Sequence, residues 1–246
     1  MLTARRWHAT DSRSRVIGTA LITGAGRGIG REVARTLALE GWDVLSAVRD
    51  PQSALPGTLA ETLDVADPES IEALAGRLRA RNVPLHALVN NAGVYSGPAR
   101  RIWDVNVLGP LLLTRALQSL LVRNARVVMV TSGLGRLSAQ SPRLVKRLSD
   151  PALSLDDVEQ LAREAPDGYG ASKAALNAMA RLFARELKPE GIVVNAISPG
   201  WVRTDMGGRN APRSLEQGAA SILWGVRLPP GGPTGGVFED GKAIPD

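Results

Sequence analysis

Short apolar runs alternate with helical patterns from residue 16 onwards, and this alternation restricts the fold more than any other feature of the sequence. Predicted strands cover residues 16–23, 42–48, 58–65, 85–89, 126–131, 192–197 and 237–238. Strands that alternate with helices form a mostly parallel sheet that is covered by helices on both faces. The sequence therefore predicts an α/β, doubly wound, mostly parallel seven-stranded sheet in a single domain over residues 16–246.

The amino-acid composition limits the kinds of molecule that this protein is expected to bind. The 246 residues are 44% hydrophobic, which suits one domain with a large core. No cysteine is present, as expected for a reducing compartment such as the cytoplasm. The two histidines, His8 and His86, are too far apart to indicate a metal site. The net charge of +6 comes mainly from arginines dispersed along predicted helices, so no nucleic-acid partner is expected.

Two further stretches of the sequence bear on where in the cell the protein is expected. Residues 1–15 are polar and arginine-rich without an apolar core, which argues against a secretory signal and favours a disordered basic tail. Their composition also resembles an organelle transit segment. The apolar run 108–122 is interrupted by Pro110, Arg115 and Gln118 and is shorter than the ~20 residues that a membrane span needs. No membrane partner is expected.

A glycine-rich turn joins the first predicted strand to a helix over residues 31–40. Its spacing is T-G-x-x-x-G-x-G, with Thr23, Gly24, Gly28 and Gly30 at the defined positions. Backbone N–H groups at a helix N-terminus, with no Cβ in the way, bind pyrophosphate well. The alternative is a turn with a purely structural role.

Two arginines bear on which dinucleotide this turn would accept. In NAD-binding units an acid at the end of the second strand binds the ribose 2′-hydroxyl, whereas an arginine nearby accommodates a 2′-phosphate. Val48 stands where that acid is expected, Arg49 follows it, and Arg27 lies within the glycine turn. NADP is therefore favoured over NAD. Both arginines could instead face water, and the acidic Asp50 is next in the chain.

Tyr169 and Lys173 stand four residues apart at the start of a predicted helix over residues 171–188. This spacing places both side chains on one face, one turn apart. A nearby ammonium favours the phenolate and lowers the pKa of a phenol, which otherwise lies near ~10. We expect the pair to act as a proton donor and acceptor in the interconversion of a carbonyl and an alcohol. The alternative is a surface helix with an incidental tyrosine and lysine.

Together these motifs resemble the short-chain dehydrogenase/reductase family, and within it the carbonyl-reductase-like branch. Residues 23–30 are similar to that family's cofactor turn and residues 90–93, Asn-Asn-Ala-Gly, to a second family segment. Residues 199–206 (P-G-W-V-R-T-D-M) and 233–245 (P-T-G-G-V-F-E-D-G-K-A-I-P) look especially like carbonyl reductases. The resemblance spans nearly all of residues 16–246 and implies a Rossmann-like fold.

The resemblance implies a catalytic set of Asn106, Ser132, Tyr169 and Lys173. Tyr169 would protonate the substrate oxygen, and Ser132 would donate a hydrogen bond to it. Lys173 would bind the nicotinamide ribose and keep the phenol acidic, and Asn106 would hold a water in a proton relay. An interior helical asparagine can also simply bond a carbonyl.

Ser138 and Ser141 are rival candidates for the serine, although Ser132 alone directly follows the predicted strand. Tyr95, Trp201 and Met206 could wall an apolar substrate pocket, or could serve only in packing.

The resemblance also implies the residues that bind the cofactor. They are Thr23, Gly24, Arg27, Gly28, Ile29, Gly30, Arg49, Asp64, Val65, Asn90, Ala92, Gly93, Pro199, Gly200, Val202 and Thr204, together with Tyr169 and Lys173. Among them, Asp64 would meet the adenine amine and Asn90 the adenosine ribose. Val202 and Thr204 would meet the carboxamide.

An insert over about residues 133–168 departs from most of the family. It contains two predicted helices, over 142–148 with Ser141 as cap and over 155–164 with Ser154 and Asp157 as a capping box. In carbonyl reductases such an insert covers the helix face used for oligomerisation, which implies a monomer. A lid over the substrate is the competing interpretation.

The leading hypothesis is an NADPH-dependent reductase of aldehydes, ketones or quinones. Within the enzyme class, an NAD-linked alcohol or polyol dehydrogenase is the alternative. From another class comes a non-catalytic, NADP-sensing protein of the same fold, since fold does not determine function. The substrate itself is not identified by the sequence.

Overall fold

The computed structural model describes residues 16–166 and 168–245, so the predicted disordered tail over residues 1–15 lies outside the described residues. The strands are β1 (Thr19–Thr23), β2 (Asp43–Val48), β3 (Leu59–Thr62), β4 (Leu85–Asn90), β5 (Leu121–Val130), β6 (Val193–Ser198), β7 (Val237–Glu239) and β8 (Lys242–Ala243). The α-helices are α1 (Gly28–Leu39), α2 (Pro68–Ala80), α3 (Ala99–Trp103), α4 (Gly109–Leu117), α5 (Pro142–Leu148), α6 (Leu155–Glu164), α7 (Tyr169–Glu186) and α8 (Leu215–Val226).

The strands form one sheet in the order β3-β2-β1-β4-β5-β6-β7-β8. All neighbours are parallel except β7 and β8, which are antiparallel. This arrangement confirms the predicted doubly wound, mostly parallel sheet. Because the chain moves outward in opposite directions from β1 and β4, a crevice opens between their carboxyl ends, where such folds bind ligands.

The sheet has eight strands, so the prediction of seven was wrong. The additional strand, β8, pairs Phe238 with Ala243 and Glu239 with Lys242. Asp240 and Gly241 form the connecting turn with φ angles of +50° and +74°. A two-residue Asp-Gly link is a strong hairpin signal, but β8 has only two residues and no apolar alternation to reveal it.

Residues 102–121 have a helical pattern in the sequence, which predicts one long helix, but the structure divides this stretch. A π-helical turn, Asp104–Leu108, separates α3 from α4, and a 3-10 turn, Gln118–Leu120, precedes β5. Pro110 has no N–H to donate to the carbonyl of Asn106, four residues earlier, so the regular α-helical ladder is interrupted there. Asn106 therefore lies in the π turn rather than in an α-helix.

Two apolar clusters hold the helices on the sheet. On one face, α1 and α8 pack together and bury Val33, Leu37 and Ile222 completely. On the other face, α2, α4 and α7 surround a larger cluster that includes Trp103 and Phe183. Neither face is left without a helical layer, as the alternation of strands and helices predicts.

The two helices of the insert, α5 and α6, pack on the outside of the helical layer that contains α7. The observed bounds of α5 and α6 match the predicted ones, and the capping box of Ser154 and Asp157 is formed. Leu148, Val158 and Leu161 are buried in the larger cluster. Among the helices of the described ranges, none has the length and apolar character that would let it cross a bilayer.

Candidate active site

A crevice of about 550 Å³ lies at the carboxyl edge of the sheet, where the ends of β1, β2, β4 and β5 meet. Most of the residues predicted to bind the cofactor line it, namely Gly24, Arg27, Gly28, Ile29, Gly30, Arg49, Asp64, Val65, Ala92, Gly93, Tyr169, Lys173, Pro199 and Thr204. These residues are far apart in sequence, since they range from Gly24 to Thr204. The fold brings them to one concave surface.

The glycine turn depends on bare backbone. Gly24 and Gly28 have φ angles of +67° and +54°, which residues other than glycine rarely adopt. A Cβ on Gly30 would lie 2.6 Å from the carbonyl oxygen of Gly24 and would collide with Asn91 Nδ2. The turn thus leaves a backbone cradle at the N-terminus of α1, which is the feature a pyrophosphate requires.

Thr23 connects this cradle to the segment that follows β4. Its buried hydroxyl accepts hydrogen bonds from the backbone N–H groups of Asn91 and Ala92, both at 2.9 Å. Asn91 Nδ2 in turn donates to the carbonyl of Thr23 at 2.8 Å. The turn and the segment after β4 are therefore fastened together. Asn91 lines the crevice and was missed by the sequence reasoning, which singled out its neighbour Asn90.

The two predicted selectivity groups lie at different places on the crevice, Arg49 just after β2 and Arg27 in the glycine turn before α1. Arg49 is exposed on the crevice and forms no ion pair with any other described residue. Asp50 uses its carboxylate locally, accepting from the backbone N–H of Gln52 at 3.0 Å. Arg27 reaches across the opening, where its guanidinium pairs with Asp205 at 3.1 Å.

Tyr169 and Lys173 begin α7 and both line the crevice. The ammonium of Lys173 lies 5.5 Å from the centre of the Tyr169 ring and donates to the carbonyl of Val130 at 2.8 Å. Tyr95 packs edge-on against the same ring, with 4.9 Å between ring centres. The four-residue spacing therefore has the stacked geometry that the sequence predicted.

The electrostatics of the pair differ from the sequence expectation. Burial raises the pKa of the Tyr169 phenol, while its interaction with the Ser132 hydroxyl acts in the lowering direction. Burial also lowers the pKa of Lys173 from 10.5 to about 8. The expectation that Lys173 would lower the pKa of Tyr169 is not met, because loss of solvation dominates at both groups.

Ser132 lies two residues after the end of β5, and its hydroxyl interacts with the Tyr169 phenol, the interaction that acts to lower the pKa of Tyr169. Of the rival serines, Ser141 caps α5 and Ser138 is exposed in a 3-10 turn. Asn106 is completely buried; its Oδ1 accepts from Val94 N–H at 2.9 Å, and its Nδ2 donates to Val94 C=O and to Ser172. Its amide thus supports the crevice wall through the backbone of Val94.

Several predicted residues lie just outside the crevice lining. Asn90 is buried, and its Nδ2 donates to Thr114 Oγ1 at 3.2 Å and to Met129 Sδ at 3.3 Å. Gly200 packs against Arg213, and Val202 pairs with Arg213 in an isolated bridge. The cofactor contacts of these three residues, like those of the residues that line the crevice, remain predictions.

Two further lining residues, Arg101 and Val105, belong to no sequence motif, whereas Asp205 and Met206 lie in the 199–206 segment that the sequence singled out. Arg101 and Val105, one turn apart at the α3 end, face the crevice, as do Asp205 and Met206 from the loop after β6. Within residues 16–166 and 168–245, no group of three or more acidic or histidine side chains is arranged to hold a metal ion.

Comparison with known proteins adds to this geometry. A family model described as short chain dehydrogenase matches residues 18–142, and one described as Enoyl-(Acyl carrier protein) reductase matches residues 153–225. Carbonyl reductase [NADPH] 1 of Sus scrofa is 31% identical over 268 residues, which cover 92% of this chain and 93% of that protein. (+)-Neomenthol dehydrogenase of Arabidopsis thaliana is 30% identical over 287 residues, covering 92% and 96%.

Solved structures show the same likeness. Salutaridine reductase from Papaver somniferum superposes with a TM-score of 0.81 at 25% identity, covering 91% of this chain and 99% of that one. NADPH-bound carbonyl reductase from chicken fatty liver gives a TM-score of 0.73 at 25% identity, covering 94% and 95%.

Proposed function

The chain belongs to the short-chain dehydrogenase/reductase family, and on that premise we propose that it is an NADPH-dependent enzyme that reduces a carbonyl group of a small molecule to an alcohol. Aldehydes, ketones and quinones are the substrate classes. The observation that carries the proposal is the position of Tyr169, whose ring lines the same crevice as the glycine turn.

The crevice suits a phosphorylated dinucleotide. The backbone cradle formed by Gly24, Gly28 and Gly30 would hold the pyrophosphate, and Arg49 offers an exposed cation where a 2′-phosphate is expected. Its neighbour Asp50 is engaged with the backbone of Gln52, which removes one reason to prefer an unphosphorylated ribose. When bound, NADPH would supply the hydride.

Tyr169 is proposed as the proton donor to the substrate oxygen. Because burial raises the pKa of its phenol, the group holds its proton at neutral pH. A protonated phenol suits reduction, which consumes a proton, better than alcohol oxidation, which requires a base. This argument favours the reductive direction over the alternative of an NAD-linked dehydrogenase.

Three residues would assist this step. The Ser132 hydroxyl, which interacts with the phenol, is suited to donate to the oxygen on which negative charge develops. Lys173, held by the carbonyl of Val130, carries a pKa of about 8 and is protonated at neutral pH, so it can return a proton toward Tyr169. Asn106 fixes the Val94 backbone beside them.

The rim of the crevice supports an apolar substrate. Tyr95, Leu134, Trp201 and Met206 belong to the exposed large hydrophobic residues, with 49–57% of their surface accessible. They lie on the loops that follow β4, β5 and β6. Such residues on the loops around a cleft favour a ligand with an apolar body and one polar group.

The test is NADPH consumption with a panel of aldehydes, ketones and quinones, using the wild type, Tyr169→Phe and Tyr95→Phe. Removing a general acid is expected to lower kcat/KM by ~10²–10⁴-fold in Tyr169→Phe, while NADPH affinity is retained. Tyr95→Phe, which changes the other tyrosine and keeps its ring, should retain most activity. Full activity of Tyr169→Phe would refute the proposed acid, and a preference for NADH would favour the NAD-linked alternative.

We also propose that the protein is a monomer in the cytoplasm and that the insert is a fixed layer rather than a lid. Arg115 of α4 pairs with Asp156 at 2.5 Å and with Glu159 at 2.8 Å, and α6 buries Leu155, Val158 and Leu161. These contacts cover the outer side of α4 and α7. Sedimentation at micromolar concentration should give the monomer mass, and a stable dimer or tetramer would contradict the proposal.

A further inference from the structure

The segment over residues 233–245 was recognised in the sequence only by resemblance, without a role. It forms the β7–β8 hairpin, in which the acidic Glu239 ends β7 and Asp240 begins the turn. The hairpin lies beside the loop that follows β6, here called the 199–213 loop. Pro199, Thr204 and Met206 of that loop line the same crevice as Tyr169.

Asp240 holds the far end of the 199–213 loop. Both of its carboxylate oxygens accept from the guanidinium of Arg213, at 2.7 Å and 2.6 Å. This bidentate arrangement fixes the orientation of the guanidinium as well as its position. The Arg213 hydrogen bond is also the main cause that lowers the pKa of the Asp240 carboxyl, so the pair is charged at neutral pH.

Arg213 transmits this anchorage to the part of the loop that faces the crevice. Its backbone N–H donates to the carbonyl of Trp201 at 3.2 Å, and its carbonyl accepts from Arg203 at 3.0 Å. Its side chain covers Gly200, where a Cβ would lie 2.5 Å from Arg213 Cδ. Gly200 has a φ of +73°, which glycine adopts without strain, so the close approach of the Arg213 side chain depends on the absence of a Cβ at this position.

Glu239 holds the near end of the same loop. Its carboxylate accepts from the Ser198 hydroxyl at 2.7 Å, and that hydroxyl accepts from the backbone N–H of Gly200 at 3.1 Å. Ser221 of α8 links the two acids, since it donates to the carbonyl of Ser198 and accepts from the N–H of Asp240. The two ends of the loop are thus bound to one short turn.

We propose that Glu239 and Asp240 are positioning residues, which act through Ser198 and Arg213 to hold the 199–213 loop against the nicotinamide end of the cofactor. The inference rests on the proposed function, because it assumes that NADPH occupies the crevice. Its chemical content is that the hairpin sets how well the nicotinamide half is held, while the adenosine half and its 2′-phosphate are held at the end of β2, by Arg49.

A second arginine next to α8 provides a matched control. Arg213 precedes the N-terminus of α8, and Arg227 follows its C-terminus and pairs with Glu40. Both are surface ion pairs that join α8 or its flank to another element. The Arg227 pair lies at the opposite end of the helix from the crevice, so Arg227→Gln reports the effect of losing such a pair without disturbing the loop.

The experiment uses the full chain with Asp240→Asn, Arg213→Gln, the double variant and Arg227→Gln. Asparagine is chosen because Asp240 has a positive φ, which asparagine tolerates. For each protein, affinity is measured for NADPH and for 2′,5′-ADP, a fragment that lacks the nicotinamide. Steady-state kcat/KM with a reactive aldehyde or quinone and thermal unfolding are measured in parallel.

In Asp240→Asn and Arg213→Gln, NADPH affinity is expected to fall about tenfold. Because a loop displaced by ~1 Å misaligns the reacting groups, kcat/KM should fall by ~10²-fold. Affinity for 2′,5′-ADP should stay at the wild-type value. The double variant should lose no more than the worse single variant, because the two residues act as one unit. Arg227→Gln should match the wild type in all three ligand measurements.

Two results would overturn the inference. One is an equal loss of affinity for NADPH and 2′,5′-ADP, which would mean that the hairpin supports the whole crevice or simply the fold. The other is wild-type kinetics and affinity in the Asp240 and Arg213 variants. If the wild type itself neither binds nor oxidises NADPH, the proposed function fails first and the inference fails with it.

Discussion

On its β1–β3 side the crevice presents the bare backbone of the glycine turn, and on its β5–β7 side it presents the side chains of Tyr169 and Lys173. The first side consists of the glycine turn and the ends of β2 and β3. Its phosphate-binding backbone, in the glycine turn, and its cation, Arg49, come from neighbouring parts of the sequence. The second side depends on contacts between segments that are distant in sequence. Ser132 contacts Tyr169, Val130 accepts from Lys173, and Asp240 holds Arg213 of the 199–213 loop. Added atoms should therefore damage the glycine turn of the first side, whereas the second side should be damaged by removal of its functional groups.

The largest effect is expected from the buried lysine of the β5–β7 side. The folded pKa of Lys173 is lowered to about 8 by burial, so between pH 8 and 10.5 the unfolded chain binds one proton more than the folded chain. The free energy of unfolding should then rise with pH across this window, by about 3 kcal/mol from this group. Below pH 8 this gain is absent.

Lys173→Met should remove that rise, and denaturant unfolding at several pH values between 7 and 10.5 measures it. Lys188→Met, at an exposed lysine just beyond α7, is the control and should follow the wild type. If Lys173 must also be protonated for turnover, kcat/KM of the wild type should decline above about pH 8. An identical pH dependence of stability in wild type and Lys173→Met would contradict the assigned burial effect.

Gly30→Ala tests the claim that added atoms damage the β1–β3 side. The new Cβ would lie 2.6 Å from the Gly24 carbonyl oxygen, so backbone must shift, at a cost of ~1–3 kcal/mol in overpacking. We expect NADPH affinity to fall about 30-fold, which corresponds to about 2 kcal/mol. Fluorescence titration of NADPH measures this.

Gly76→Ala is the matched control for this variant. Gly76 lies inside α2 with no heavy atom within 4 Å of a new Cβ, so alanine should stabilise the protein slightly and leave NADPH binding unchanged. Unchanged NADPH affinity in Gly30→Ala would mean that the β1–β3 side tolerates added atoms, and the contrast between the two sides would be lost.

The two arginines of the β1–β3 side should differ in importance. Arg49 forms no ion pair elsewhere in the described ranges, whereas Arg27 already pairs with Asp205 across the opening. Arg49→Gln should weaken NADPH binding about tenfold, or about 1.4 kcal/mol, and leave NADH binding nearly unchanged. Arg27→Gln should have a smaller effect. Titrations with both cofactors at low and high salt separate these outcomes; a larger effect at Arg27 would reverse the ranking.

The smallest effect is expected outside the crevice, in the insert. Arg115→Gln removes the contacts of α4 with Asp156 and Glu159, which are partly exposed, so the loss of stability should be about 1 kcal/mol. Thermal unfolding measures it. Because none of the described residues of the insert lines the crevice, NADPH turnover should be unchanged. A large loss of turnover would instead support a lid.

Local patterns predicted much of this protein. The glycine turn, the insert helices with their caps, and the spacing of Tyr169 and Lys173 all depend on residues within one or two turns of each other. Such features need no knowledge of the fold. The Asp240-Gly241 turn was equally local, yet β8 was missed because two residues carry no periodicity.

Other features required the tertiary structure. The pKa of Tyr169 is raised rather than lowered because burial outweighs its neighbours, and burial cannot be read from a four-residue spacing. The partnership of Arg213 with Asp240 joins residues whose contact follows only from the hairpin. Asn91 could have been noticed within Asn-Asn-Ala-Gly, but its bond to Thr23 depends on β1 and β4 being neighbours.

The second strand of the hairpin has a consequence for how copies of this chain behave together. β8 has only two residues and is exposed, with Lys242 in it and Pro245 soon after. Short, charged strands beside a proline offer a poor template for pairing with another sheet. Cutting the chain before Gly241 would expose the backbone of β7, and the truncated protein should be more prone to aggregate through its sheet edge.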